Sequence, residues 1–501
     1  MYKHNQKQLE LVEFHLPFGG HLEPDNRWVK WAQMIPWDQF ETLYVSSLSD
    51  SGQGPPAFSV RLALGSLIIK EKLGVSDEEC VQQIRENPYL QYFCGMKGFK
   101  TEAPFDPSML VHFRKRFPYD ELKKVNEIIA KKAISSKKSD KDPDPPSGRK
   151  TDETEPANKG KLLIDATCAP ADITYPTDIK LLNKSREKTE EIIDILHKSR
   201  GKGHKKPRTY RQKARKQYLS IAKSKRVNHK KLRKGLRSQL GYIRRNLKSI
   251  ETLSRGTGLA ILSHRQYRDL LVIGEVFRQQ KWMYDRRSKR VDDRIVSISQ
   301  PHVRPIKRGK AGSDTEFGAK LSVSLVDGYS FVERISWNNF NEGSDLINQI
   351  KKYEQRFGFY PESVHADKIY RNRKNIRFCK ENGIRLSGPR LGRPPKITEE
   401  NAHQLRMEAK QARQDEIDRI PIEGKFGQGK RSYGLGRILT KLPGTSETSI
   451  ILSFLVMNLE RWLTTLFYFL FFKERKWVLN WYFHKIGLNL LKQPQSEIRF
   501  T

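Results

Sequence analysis

The chain has 501 residues and a formal net charge of +37 at pH 7, and its length predicts about three domains with a sizeable core. The charge excludes an ordinary neutral or acidic enzyme surface and favours polyanionic partners, nucleic acid first and anionic membrane second. Four cysteines without a Cys-x-x-Cys pair argue against a disulfide framework or a zinc knuckle and fit a reducing interior.

The first elements form an all-α unit, which we expect to span residues 1–133. Its opening residues lack the apolar run of a signal peptide, which favours a cytoplasmic protein. Residues 61–74 have helical apolar spacing and end at Gly74. Ser76 and Glu79 then fit a capping box at the start of another helix. This order outlines a helix-turn-helix, although any helical hairpin has the same outline. Together with the charge, it favours DNA binding by this unit.

A change of composition separates this unit from the rest of the chain. Residues 134–160 are rich in Pro, Ser and charge and have almost no apolar content, which predicts a disordered linker. The short apolar run LLID follows, and it is typical of a buried strand with Asp165 at its carboxyl end. We expect a large second domain over residues 161–460 and a helical tail over residues 461–501.

Basic residues dominate a long helical segment of this domain, from about residue 180 to about residue 300. Residues 201–250 contain 19 Lys and Arg and no Asp or Glu, with Tyr210, Tyr218 and Tyr242 spaced among them. So many like charges repel one another unless a polyanion neutralises them. The segment is therefore predicted to be a helical insertion that contacts nucleic acid. A solvated basic face or a coiled hairpin is the alternative.

Strands and helices follow one another after the insertion. Residues 317–337 alternate apolar and polar side chains around Asp327-Gly328, which is a strong signal for a hairpin between two strands. Residues 344–358 have helical periodicity. The segment ESVHADKIYRNRKN predicts a short strand that ends at Asp367, followed by the start of a basic helix.

A second helix, EENAHQLRMEAKQARQDEI, leads into RIPIEGKFGQGKRSYGLGRI, a basic, glycine-rich stretch in which Glu423 stands among cations. Pro421 suits the first turn of a new helix, so Arg419 is expected to lie just before that helix. Positions 423 and 430 share one face of a helix, and Lys430 would then hold a phosphate near Glu423.

The most apolar stretch, ILSFLVMNLERWLTTLFYFLFF, covers residues 451–472. Glu460 and Arg461 lie near its middle, where charges are most costly in lipid. We therefore expect a buried core helix, with a membrane segment as the alternative.

Three acids can meet in this arrangement. If the strands of Asp165 and Asp367 are neighbours, their carboxyl ends meet at one edge of a mixed sheet, and a helix across that edge adds Glu423. Three converging carboxylates repel one another, and Mg²⁺ relieves this because it takes hard oxygen ligands. Two such ions can serve phosphoryl transfer. A strand-end aspartate is more often a cap or turn residue, and with 57 acids in the chain the spacing alone leaves the triad open.

Several motifs together resemble one protein family. LLIDATCAPADITYPTD, VHADKIYRNRKN and IEGKFGQGKRSYGL are similar to the blocks around the catalytic acids of the DDE transposases of bacterial insertion sequences, in the group around insertion sequence five. LSDSGQGPPAFSVRLALGSLIIKEKLGVSDEECVQQIRENPYLQYFCG and FDPSMLVHFRKRF resemble the N-terminal domain of that group. The resemblance covers most of residues 10–460.

The resemblance implies an RNase H-like catalytic core, a mixed sheet with flanking helices, that carries the basic insertion. It implies that Asp165, Asp367 and Glu423 are the catalytic residues and the ligands of Mg²⁺, for which Mn²⁺ would substitute. Related transposases carry Tyr, Arg, Glu and Lys at spacings of three, four and seven. Arg419 and Lys430 match the Arg and Lys of this pattern, whereas Glu416 stands at the Tyr position.

The implied function is metal-dependent cleavage of insertion-element ends and strand transfer into target DNA. The expected partner is double-stranded DNA, both terminal inverted repeats and target, bound by a homodimer at the bacterial nucleoid and not at a membrane. We expect DNA contacts from Arg419, Lys430, Lys368, Arg371, Lys425 and Arg431; plain surface charge is the alternative. An RNase H-like nuclease without strand transfer and a non-catalytic DNA-binding protein, perhaps a decayed transposase, are the rival functions.

Overall fold

The structure is a computed structural model. It describes residues 10–16, 19–46, 48, 56–139, 158–201, 203–307, 315–393, 395–442 and 444–485. Within these residues the fold is mixed α/β: an N-terminal helical region precedes one six-stranded mixed sheet, and four helices are inserted between its first two strands.

The helices are α1 Arg27–Met34, α2 Trp37–Ser46, α3 Val60–Leu73, α4 Asp77–Glu86, α5 Pro88–Phe93, α6 Met109–Arg116, α7 Tyr119–Ser139, α8 Asp178–Ser199, α9 Arg211–Ala222, α10 His229–Thr257, α11 His264–Asp285, α12 Leu346–Phe357, α13 Arg373–Glu381, α14 Glu399–Ser432 and α15 Thr445–Lys485. The strands are β1 Lys161–Pro170, β2 Arg304–Lys307, β3 Thr315–Val326, β4 Tyr329–Ser336, β5 Ser363–His365 and β6 Arg385–Leu386. Short 3₁₀ turns occur at Leu11–Glu13, Glu342–Ser344 and Lys368–Tyr370.

The sheet has the strand order β2-β3-β1-β5-β6, and β4 pairs with β3 on the same side as β2. The β1–β5 and β5–β6 pairs are parallel, whereas β3 is antiparallel to all its partners. The predicted hairpin is confirmed, because β3 and β4 are joined at Asp327-Gly328. Both residues have positive φ, 50° and 84°, as a two-residue hairpin turn of the primed type requires.

Strand β1 is longer than the sequence predicts. Asp165 was expected at its carboxyl end, but it is the fifth of ten residues and the strand continues to Pro170. The reason is the pairing: β5 pairs only with residues 161–163, whereas β3 pairs with β1 from Leu163 to Pro170. The long antiparallel partner keeps the backbone extended after the short parallel one has ended.

Helix α14 also corrects a prediction. Pro421 does not begin a new helix, because α14 runs unbroken from Glu399 to Ser432 with Pro421 inside it. Arg419 is therefore a residue of the helix rather than of a preceding loop. A proline in a helix interior removes one backbone hydrogen bond and strains the preceding turn. The buried side chains of Ile422 and Phe426 follow it, and α14 packs on β1 and β5. This tertiary packing offsets the local cost.

The inserted helices α8 to α11 form a bundle with apolar clusters of its own, around Leu182, Ile243 and Ile273 and around Ile193 and Leu253. The helical character of the segment is as predicted.

The N-terminal helices and the sheet share one hydrophobic core. A continuous cluster of buried apolar side chains runs from Phe14 to Leu463, and α15 packs against α3, α6, α7 and β4. Helix α7 continues past the predicted boundary at 133, and α15 crosses the one predicted at 461. The rest of the predicted linker, 140–157, and the end of the predicted tail, 486–501, lie outside the described residues.

One helix among the described residues is long and apolar enough to cross a membrane by length and composition, Thr445–Tyr468. Its most apolar window is 67% buried inside the structure, and its charges Glu460 and Arg461 bond to Lys72 and to the carbonyl of Asp327. The segment is therefore a core helix here, in agreement with the favoured prediction.

Asn458 joins α15 to α7 and β4 through buried hydrogen bonds. Its side chain is fully buried; it donates to Asn126 Oδ1 (2.9 Å) and Ser330 O (2.8 Å) and accepts from Ser330 N (2.9 Å). Asn458→Ala leaves these buried groups unpaired and is expected to lower the free energy of unfolding by about 2–4 kcal/mol. Urea titration measures this. The exposed Thr464→Ala on the same helix is the control, and an equal shift in both variants would contradict the prediction.

Candidate active site

A cavity of about 1030 Å³ opens beside the middle of β1. Asp165, Asp367 and Glu423 all line it, together with Glu342. These four acids come from β1, from the segment after β5, from α14 and from the 3₁₀ turn before α12. The acids that the sequence singled out are thus brought to one cavity from distant parts of the chain.

Asp165 and Asp367 reach the cavity from adjacent strands. Leu163 and His365 form the last pair of the parallel β1–β5 ladder, and each acid follows its member of that pair by two residues. Asp165 Oδ1 accepts from Ala166 N at 2.8 Å, and Asp367 Oδ1 accepts from Lys368 N at 2.7 Å. Asp367 is exposed, whereas the side chain of Asp165 is only 17% exposed.

Burial changes the acidity of Asp165. It raises the pKa of the carboxyl to about 6, against the lowering effects of the Ala166 hydrogen bond and of the Arg419 charge. The nearby carboxylates of Glu342 and Glu423 raise this pKa further. Burial therefore disfavours the ionised form of Asp165, and a cation bound beside this carboxyl would favour it.

Arg419 is the cation that stands between two of the acids. Its Nη2 lies 2.8 Å from Glu423 Oε1 and its Nη1 lies 4.0 Å from Asp165 Oδ2. This geometry depends on the unbroken α14, since residues four apart lie on one face of a helix. Phe426 and Lys430 line the cavity from the same face, as the predicted spacing requires.

The carboxylates fit Mg²⁺ by their chemistry, because all are hard oxygen donors beside a roomy polar cavity. As the side chains stand, no group of three acidic, histidine or cysteine residues within the described ranges is close enough to hold a metal ion. The closed ligand set that the sequence predicts is thus absent from this arrangement, in which Arg419 bonds to Glu423.

Sequence reasoning missed Glu342 and Lys320. Lys320 lies on β3 opposite Cys168 and is 8% exposed. Its Nζ contacts Glu342 Oε1 and Phe340 O, both at 2.8 Å. A charged residue among the small polar positions of an alternating strand was a signal for Lys320. No local pattern marks Glu342, because it enters the cavity only through the turn before α12.

Only some of the residues that were predicted to contact DNA line the cavity. Lys430 lines the cavity together with Arg419, whereas Lys368, Lys425 and Arg431 do not. Lys425 is half-buried, and burial, with the Arg461 charge, lowers its pKa to about 8.

Arg371 also does not line the cavity, and its side chain bonds to the backbone. Its Nη1 donates to Leu386 O and Ser387 O, both at 2.7 Å. The guanidinium thus binds two carbonyls at the end of β6, and its contact with DNA stays a prediction.

The predicted helix-turn-helix outline is present in α3 and α4. Gly74 adopts φ 67° after α3, and Ser76 Oγ caps α4 by accepting from Glu79 N. However, α4 exposes Glu78, Glu79 and Glu86 against the single cation Arg85. An acidic face repels phosphates, so this geometry does not favour α4 as the helix that enters a DNA groove.

Two family models match the chain. Residues 17–116 match a family described as "Transposase domain (DUF772)", and residues 364–460 match "Transposase DDE domain". The chain carries two transposase domains. Such domains indicate a DNA transposase, and a DDE domain implies the RNase H-like core with which the mixed sheet agrees.

One curated protein is similar to part of this chain. An uncharacterized protein, ORF8 in the nfe locus of Rhizobium meliloti, is 30% identical over 164 residues, which are 33% of this chain and 71% of the relative. The chain belongs to the same family as that protein. No solved structure matches the chain. The DDE match includes Asp367 and Glu423 of this transposase-domain protein and begins after β1, so it does not extend to Asp165.

The raised pKa of Asp165 predicts how stability depends on pH. Its pKa in the folded protein, about 6, lies above the ordinary value of 3.8. The folded state therefore favours the protonated form, and this contribution is lost as pH rises from about 4 to 6. Without divalent metal, Asp165→Asn is expected to raise the free energy of unfolding by up to about 3 kcal/mol at neutral pH and by little below about pH 4.

Thermal or urea denaturation at both pH values, with a chelator present, measures this gain. The exposed Asp367→Asn is the matched control and should change stability little at either pH. A gain from Asp165→Asn that is equally large at low pH would contradict the electrostatic explanation.

Proposed function

We propose that this protein is a DNA transposase that cuts the ends of an insertion element and joins them to target DNA. One observation carries the proposal: acids from three separate elements, Asp165, Asp367 and Glu423, line one cavity together with the cations Arg419 and Lys430. Acids alone would fit a metal store, and cations alone would fit a simple DNA-binding groove. Acids and cations in one cavity fit a site that binds phosphodiesters and catalyses their cleavage.

The three carboxylates would hold Mg²⁺, with Mn²⁺ as a substitute, because they are the hard oxygen donors that such ions take. Bound metal supplies Lewis acidity, which makes a water and later a hydroxyl reactive toward phosphorus. In the first reaction water attacks the phosphodiester and the bond to the 3′ oxygen breaks, which leaves a free 3′-hydroxyl. That hydroxyl then attacks a target phosphodiester and displaces its 3′ oxygen.

The cations of the site position the DNA. Arg419 neutralises Glu423 in this structure, and a DNA phosphate offers the guanidinium an alternative anion with bidentate geometry. Lys430, about two turns after Glu423 on α14, would hold the same strand as a point charge. Together they would orient the scissile phosphate over the acids while reducing the repulsion between them.

The remaining features of the proposal follow from this reaction. The substrate would be double-stranded DNA that carries the terminal inverted repeats, and the basic insertion would grip it outside the cavity. Two ends must be joined in one event, so the active form would be a homodimer in the DNA complex, in the bacterial cytoplasm at the nucleoid.

A cleavage and strand-transfer assay tests the proposal. Purified protein, a duplex with the element's own end, target DNA and Mg²⁺ should yield joined products. Glu423→Gln, Asp165→Asn or Asp367→Asn should each lower the rate by about 10³-fold or more while DNA binding persists, because each removes a charge that acts only in the reaction. Chelation of the metal should have the same effect.

The control is Glu400→Gln, the same change in the first turn of α14 and outside the cavity lining, which should keep full activity. Nicked DNA without joined products would favour a nuclease. DNA binding without cleavage, and unaffected by metal, would reduce the protein to a DNA-binding protein and refute the role of the acids.

A further inference from the structure

The helical insertion carries a stack of aromatic rings and guanidinium groups. The Arg245 guanidinium lies 5.0 Å from the ring centre of Tyr210 and 4.9 Å from that of Tyr242, and the Arg208 guanidinium lies 4.7 Å from Tyr210. Tyr242 is 6% exposed and donates its hydroxyl hydrogen to Gln217 Oε1 at 3.0 Å. The stack thus has a buried base in the bundle and exposed arginines above it.

The backbone at this stack is held in an unusual conformation. Tyr210, directly before α9, has φ 55° and ψ 29°. A bulky residue is disfavoured there, and such outliers persist where the surroundings enforce them. The residue is 37% exposed. Its ring lies 6.3 Å from the ring of Tyr242 and beside two guanidiniums, and these contacts hold it there.

The charges of the stack differ from others in the insertion. Lys206 and Arg211 are paired with Asp194, so the acids of α8 do neutralise part of the basic run. Within the described residues, no carboxylate lies within ion-pair distance of Arg208 or Arg245. Rings that hold a guanidinium by its face leave its N–H edges free to donate, and phosphate accepts such pairs of donors.

Helix α10 has a basic face that is interrupted by one glycine, Gly241. Its exposed cations on this side are Lys234, Arg237, Arg244, Arg245 and Lys248. Gly241 stands in the middle of the row, and a Cβ built there would meet nothing within 4 Å. Glycine inside a helix is destabilising relative to alanine, and no packing requirement explains it here. Close approach of another backbone would.

We propose that a DNA backbone crosses α10 at Gly241, with its phosphates held by Arg208 and Arg245 of the stack and by the flanking cations Arg237 and Arg244. This contact rests on the proposed function, since it requires that the protein binds DNA, and it is independent of the acids and of metal. It reads no base sequence, because phosphate contacts carry none. The insertion would therefore grip the duplex outside the cleavage site.

The test measures binding of the full-length protein to a fluorescent DNA duplex by anisotropy, in chelator, over a series of salt concentrations. Each phosphate contact contributes about 0.9 to the slope of log affinity against log salt. The double variant Arg208→Ala/Arg245→Ala should make the slope about 1.8 less steep and weaken binding by roughly tenfold or more at physiological salt. Gly241→Leu should keep or raise helicity by circular dichroism and still weaken binding severalfold.

The charge-matched control is Arg255→Ala/Arg278→Ala. Both arginines lie in the insertion and are exposed, but they are paired with Glu251 and Glu275, so their loss should change the slope far less. If the stack variant keeps the slope of the wild type, or changes it no more than this control, the contact is refuted, and metal-dependent cleavage would still support the proposed reaction. If the wild type binds no duplex at all, both the contact and the DNA-binding part of the proposed function are refuted.

Discussion

The parallel pairing of β1 with β5 is the constraint on which the rest of the cavity depends. It covers only three residues of each strand, yet it brings Asp165 and Asp367 to one cavity although 202 positions separate them (367 − 165). Strand β3 pairs along the other edge of β1 and carries Lys320, which holds Glu342 at the cavity. Helix α14 then lies across β1 and β5 and adds Glu423. Each acid is thus placed by backbone hydrogen bonds or helix packing rather than by local sequence.

Two ion pairs join α14 to the sheet, in addition to its apolar packing. Lys161 Nζ of β1 contacts Asp418 Oδ2 at 2.6 Å, and Arg385 of β6 contacts Asp415 at 2.7 Å. Between these pairs His365 is fully buried, and burial lowers its pKa, so it is neutral and contributes no charge at pH 7. Asp415 and Asp418 thus attach α14 to the sheet. The next residues of the same helix, Arg419 and Glu423, line the cavity.

The N-terminal helices share their hydrophobic core with the sheet and with α15. Lys72 of α3 pairs with Glu460 of α15, and Glu71 Oε1 accepts from Ser453 Oγ at 2.6 Å. Burial raises the pKa of Glu71 to about 7, which reflects how tightly α3 is packed against α15. The N-terminal unit is therefore built into the same body as the sheet, and the acidic exposed face of α4 contrasts with the basic insertion. By charge, the insertion is better suited than α4 to bind DNA.

The sequence by itself determined the elements whose cause is local. Asp327-Gly328 predicts the hairpin because few other residue pairs tolerate two positive φ values, and Gly74 ends α3 for the same reason. The motif resemblance selected the acids. Tertiary structure alone decided the length of β1, the unbroken course of α14 through Pro421, the entry of Glu342 and the common core. Each of these depends on a partner distant in the chain, and long-range pairing or packing outweighs local preference wherever the two compete.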